Sequence, residues 1–176
     1  YMSFVDIDLG WTNYVQLAEK KIPEFRNNII VLDGDVPTKQ EYRKKVKAIN
    51  DAGNFLFLPL VIEKSIFELL KNHAMFSRFQ SAFSRVPAFT YDVCFNSWPL
   101  DSNNYSTNDF KHWYTQAVNA LGDQNILFAF WCSEYRNDID MFVERFISLF
   151  NSLAERNDID TLPKVVSSIT KNLDDE

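Results

Sequence analysis

Glycine is scarce, with four residues in 176. Neither GxGxxG nor GxxxxGKS/T is present, so any nucleotide bound here is not cradled by a glycine-rich loop of this chain. Histidine is scarcer still. His73 and His112 are too few for a histidine-rich zinc site. The two cysteines, Cys94 and Cys132, form no CxxC motif and have no ligand cluster beside them, so two buried thiols in a reducing, cytoplasmic setting are expected. No apolar run approaches the roughly 18 residues that a membrane-spanning helix requires, and no membrane partner is expected. The start, Tyr1-Met2-Ser3-Phe4-Val5-Asp6, lacks the basic and then apolar pattern of a secretory leader. A first residue other than methionine suggests a processed chain or a piece of a longer one.

Basic charge is also in deficit. Eighteen Lys and Arg against 24 Asp and Glu leave a net charge of −6. A protein that holds nucleic acid by bulk charge is usually basic. Any nucleic-acid contact must therefore be local, bridged by metal, or supplied by another domain or chain.

What the chain does have is apolar and aromatic mass: 46% hydrophobic residues, with sixteen Phe, enough for a packed core. The first half alternates. Residues 3–7 read as a strand and 11–21 as a helix stopped by Pro23. Residues 28–33 form an uninterrupted apolar strand of the kind covered on both faces of a parallel sheet. A turn at 34–38, a helix at 40–51 stopped by Gly53, a strand at 54–58 and a helix at 62–72 follow. The order βαβαβα predicts a parallel sheet with crossover helices.

After His73 the character changes. A helix is expected at 76–83, an irregular aromatic stretch at 86–99 and a polar loop at 102–107. Helices follow at 108–121, 125–135 and 137–155, and a last one near 162–172. In helix 137–155, Ile139, Phe142, Val143, Phe146, Ile147 and Phe150 recur along one face. The expected fold class is α/β: a parallel sheet flanked by helices over residues 1–73, with an aromatic-rich, mainly helical extension over 74–176.

One motif carries chemistry. In Ile29-Ile30-Val31-Leu32-Asp33-Gly34-Asp35-Val36, two acids stand two apart where a buried-type strand ends. In open α/β sheets, ligands gather beyond the carboxyl ends of strands. Two carboxylates there, with a small residue between them, suit a hard divalent cation that also keeps water and phosphate in its shell. Glu63 and Lys64 follow the next strand, Glu63 lying 28 residues after Asp35. A third carboxylate and an ammonium beside such a pair suit phosphodiester chemistry. The pair Asp6-x-Asp8 reads as a turn before Gly10. Arg43-Lys44-Lys45-x-Lys47 reads either as a solvated helix face or as a face toward nucleic acid. Lys111-His112-Trp113-Tyr114 reads as core and rim aromatics.

The order of elements, Ile29 to Val36, and Leu58-Pro59-Leu60-x-Ile62-Glu63-Lys64-x-Ile66-Phe67 together resemble a Toprim domain, the topoisomerase–primase fold. More particularly, they resemble the Toprim half of the overcoming-lysogenisation-defect (OLD) nucleases and related antiphage-defence ATPase–nucleases. The later aromatic helices look like the helical tail of such proteins. The resemblance implies a metal-dependent endonuclease with Mg²⁺ or Mn²⁺ on Asp33 and Asp35. It further implies Glu63 as a metal ligand or catalytic group, and Lys64 as a catalytic stabiliser of the transition state. It also implies nucleic acid as substrate (DNA ahead of RNA), an oligomeric assembly, and ATP only through an ATPase domain or subunit outside this chain. One departure stands out. Toprim nucleases carry an earlier acidic motif after a first strand, which here would lie upstream of Tyr1 unless Asp6 or Asp8 replaces it. Two other readings accompany this one. The first is a non-catalytic Toprim-like interaction or sensor module in a defence complex. The second is a haloacid-dehalogenase-like phosphatase with Asp33 as nucleophile, although Pro37 departs from that motif.

Overall fold

The computed structural model describes residues 10–83, 86–157 and 159–163. The expected strand at 3–7, Asp6-x-Asp8 and residues 164–172 of the expected last helix lie outside that set. Two compact units are present. One comprises residues up to Pro59 together with those from Asp140 onward, and the other is Leu60–Ile139. The change of character expected after His73 falls inside the second unit.

In the first unit, helix α1 (Trp11–Glu19) buries Val15 and ends before Pro23, which opens a 3₁₀ turn, Pro23–Asn27. A proline in the first turn of a helix loses no bond, because its missing N–H would have had no partner. Strand β1 (Ile30–Leu32) then runs parallel to β2 (Phe55–Phe57), with Val31 opposite Leu56. Ile30 N–H donates to Asn54 O at 2.8 Å and Leu58 N–H to Leu32 O at 2.9 Å, which extends the pairing at both ends. Between the strands lies helix α2 (Tyr42–Ala52), closed by Gly53 in the left-handed conformation, φ 65°. Its N–H caps Ile49 O, a position where a side chain would be strained.

The result is helix-rich α/β architecture around a two-stranded parallel sheet among the described residues. Two details differ from the sequence reading. The strands are only three residues long. The second face of β1 is also open: Leu32 is buried, whereas Val31 is 45% exposed.

Asn54 holds this unit together. It is 2% exposed, and its Nδ2 donates to Phe25 O at 3.0 Å and Asn28 O at 2.8 Å. It thereby ties the 3₁₀ turn before β1 to the start of β2. Asn54→Ala leaves two carbonyls without that donor. It is expected to cost about 1–3 kcal/mol, read as a fall in the urea midpoint.

The second unit is helical: α3 (Ile62–Leu70), α4 (His73–Ala82), α5 (Tyr91–Phe95), α6 (Thr107–Leu121), α7 (Gln124–Glu134) and the first residues of α8 (Arg136–Arg156). Asn72 accepts from the backbone of Ala74 and Met75, so the helix expected to run through residue 72 stops and a new one starts. The stretch 86–99, expected to be irregular, contains α5, capped by the Thr90 hydroxyl. Ser106 and Asp109 form a reciprocal capping box at the start of α6.

Phe67 lies at the centre, with the rings of Trp113, Phe95, Phe110 and Tyr105 at 5.0–5.6 Å. The buried indoles are satisfied: Trp113 donates to Cys94 O at 3.0 Å and Trp131 to Ser65 Oγ at 2.7 Å. The apolar face of α8 is half-buried at Ile139, Phe142, Phe146, Ile147 and Phe150 and exposed at Val143, while the buried positions are Leu153 and Ala154.

Candidate metal centre

β1 ends at Leu32, and the chain turns at once. Val36 N–H donates to Asp33 O at 3.1 Å. A 3₁₀ turn, Val36–Thr38, follows with Pro37 in its first positions. The Thr38 hydroxyl donates to Asp35 O at 2.7 Å and its N–H to the same oxygen at 3.0 Å. Thr38 is thereby committed to the turn rather than to capping a longer helix, and α2 starts only at Tyr42. Buried Val36 anchors the turn from below. Asp33 and Asp35 thus leave the carboxyl end of a parallel strand on one short, hydrogen-bonded turn.

Their environments differ. The Asp33 residue is exposed, whereas the Asp35 side chain keeps 13% of its surface. Lys39 Nζ lies 3.1 Å from Asp35 Oδ1. That approach compensates charge without hydrogen-bond geometry, and Oδ1 is a buried oxygen with no hydrogen-bond donor among the described residues. The Lys39 ammonium is the group that faces this oxygen. Two carboxylates on one turn are of the chemical type that suits a hard divalent cation such as Mg²⁺ or Mn²⁺, which at Asp35 would compete with Lys39. Lys39 lies outside the motif read from the sequence, although its position four residues after Asp35 signals it.

Glu63 and Lys64 belong to the other unit, in the first turn of α3. Their interactions there are with α3 and α6. Lys64 is exposed, with Nζ 5.8 Å from the Phe110 ring centroid. Burial, and then the Glu63 carboxylate, push the Tyr114 hydroxyl up. Among the described residues no three His, Cys, Asp or Glu side chains come together as a metal-binding group.

One turn along α3, Glu68 accepts from Ser102 Oγ and pairs with Lys71. Burial alone would raise its carboxyl, but the bonds from Lys71 and Ser102 and the charges of Lys71 and Lys64 outweigh it and hold it below the usual range. The i, i+3 spacing of Glu68 and Lys71 is visible in the sequence, whereas the part of Ser102, in a distant loop, is not.

The thiols are free and poorly suited to nucleophilic chemistry. Cys94 is buried, and burial pushes it up to about 12, while the half-buried Cys132 is raised as well. The expectation of two buried thiols therefore holds for Cys94 only. Because the native thiol keeps its proton where the unfolded one (about 8.5) has lost it, stability should fall as pH rises above about 8.5. Urea midpoints between about pH 8 and 9.5 should decline in the wild type and decline less in Cys94→Ala. Native-state thiol labelling should reach Cys132 before Cys94.

Compared with known proteins, the chain matches no family model, no curated protein and no solved structure.

Proposed function

We propose that this chain is a Toprim-like, metal-dependent nuclease domain that hydrolyses phosphodiesters of nucleic acid, DNA ahead of RNA. In this reading it works with an ATPase domain or subunit in an oligomeric antiphage-defence protein of the cytoplasm. The observation that carries the reading is Asp35 Oδ1. It is a largely buried carboxylate oxygen faced by the Lys39 ammonium at 3.1 Å, on a turn shared with Asp33 at the carboxyl end of a parallel strand. Asp33 and Asp35 would hold Mg²⁺ or Mn²⁺, which when bound would polarise water and phosphate for hydrolysis.

The chain's own residues do the rest. The 3₁₀ turn fixes where the carboxylates stand, and Lys39 compensates Asp35. Short DNA and RNA substrates, single- and double-stranded, should be cut in Mg²⁺ or Mn²⁺ and left intact in EDTA. Metal binding without cleavage of any of them would instead favour the non-catalytic interaction module.

A further inference from the structure

The exposed face of α2 presents Arg43, Lys44 and Lys47, all solvent-facing, on the side of the helix opposite buried Ile49. At 1.5 Å rise per residue the three span about 6 Å along the axis, Arg43 and Lys47 lying one turn apart. Two neighbouring cations are committed: Lys45 bonds Glu19 at 2.9 and 3.1 Å where α1 packs on α2, and Lys39 pairs with Asp35. Arg43, Lys44 and Lys47 have no ion pair among the described residues. Lys20, Lys21, Arg26 and Arg145 are exposed without an ion pair among the described residues as well, but in a chain of net charge −6 three such cations grouped on one helix face form a local basic patch.

The chemistry of the face narrows its partner. Three cations on flexible stems, with no enclosing backbone amides, suit an extended polyanion rather than a single small anion. A membrane would be held by charge alone on this face, because apolar side chains that would enter the lipid boundary are absent beside the cations. An acidic protein segment would be held more tightly with aromatic or aliphatic anchors beside the charges. The rest of this face is Asn50 and Asp51, which provide neither. A phosphodiester backbone needs only cations.

The position fits as well. Arg43 is in the first turn of α2, which packs on the 3₁₀ turn whose leading residue is Asp35. We infer that the Arg43–Lys44–Lys47 face binds the sugar–phosphate backbone of a nucleic acid and leads it toward Asp33 and Asp35. The second half of that statement rests on the nuclease reading.

The test is fluorescence anisotropy of a short labelled single-stranded oligonucleotide and its duplex over a range of salt, in EDTA, so that metal binding plays no part. Each phosphate contact contributes about 0.7 (single strand) or 0.9 (duplex) to the slope of log K against log salt, so the three cations account for about 2–3 units. Arg43→Gln/Lys44→Gln/Lys47→Gln should lose that much slope. Lys111→Gln/Arg145→Gln/Arg156→Gln, with the same change in net charge, should keep the wild-type slope. Asp33→Ala/Asp35→Ala should still bind in EDTA. Equal slopes for the α2 triple variant and the wild type overturn the inference. So does binding to phosphatidylserine vesicles with none to oligonucleotide. A wild type that shows the α2-dependent slope but never binds metal or cuts would leave this face standing and remove the nuclease reading.

Discussion

Phe67→Ala is expected to destabilise the second unit by about 3–5 kcal/mol, a large part of the 5–15 kcal/mol that a domain of ordinary stability has. Phe67 is 0% exposed, and its ring meets those of Phe95, Tyr105, Phe110 and Trp113 edge-on, at interplanar angles of 63–82°. Such pairs each add about 0.5–1.5 kcal/mol beyond the area they bury. Truncation removes four of them at once. It also opens a cavity among large, stiff side chains from α3, α5 and α6 and the loop before α6, which cannot easily collapse into it. Chemical denaturation reads the loss. Val93→Ala on α5, where the side chain is 60% exposed, should shift stability by no more than about 0.5 kcal/mol. A loss below about 1 kcal/mol for Phe67→Ala would mean that the aromatic cluster is not the core.

The second large effect is on the cleavage proposed above. Asp33→Ala/Asp35→Ala should remove metal-dependent cleavage altogether, because the turn then offers no carboxylate to a divalent ion. Three single changes separate the contributions. Asp35→Asn keeps the shape of the side chain but loses its charge, and should still lose activity. Lys39→Ala removes an ammonium 3.1 Å from Asp35 Oδ1 and should keep or strengthen metal binding, since a competing positive charge leaves. Asp33→Asn should weaken binding through loss of the exposed carboxylate. If Lys39→Ala abolished activity while Asp35→Asn kept it, the roles assigned to the turn would be reversed.

What is legible in the sequence is local. The ends of α1, α2 and α6 follow from Pro23, Gly53 and Gly122, residues whose backbone preferences act without help from the rest of the fold. The Asp33–Asp35 turn is equally local, so the sequence alone places its two carboxylates at a strand end. Helix α5 escapes such a reading because five residues, Tyr91–Phe95, are too short to display a period, and only the Thr90 cap marks it. The strands are shorter than their apolar runs because such runs do not show where pairing stops.

Asn54 cannot be read from the sequence as a buried clamp. Its partners, Phe25 and Asn28, lie 29 and 26 residues away, so its role exists only once β1 and β2 have paired. The Lys64–Phe110 contact and the effect of the Glu63 charge on Tyr114 are likewise tertiary. Nothing in the sequence spacing of Glu63 and Lys64 shows that α6 lies beside them. The apolar stripe of α8 is legible as a stripe, but periodicity says nothing about how deeply each position is covered.

The most direct measurement of the central claim is calorimetric titration of Mg²⁺ and Mn²⁺ into the wild-type chain and into Asp33→Ala/Asp35→Ala. The account predicts saturable binding in the wild type that disappears in the double variant, with both proteins unfolding at similar urea concentrations. Binding of equal strength in both, or none in the wild type, would contradict it.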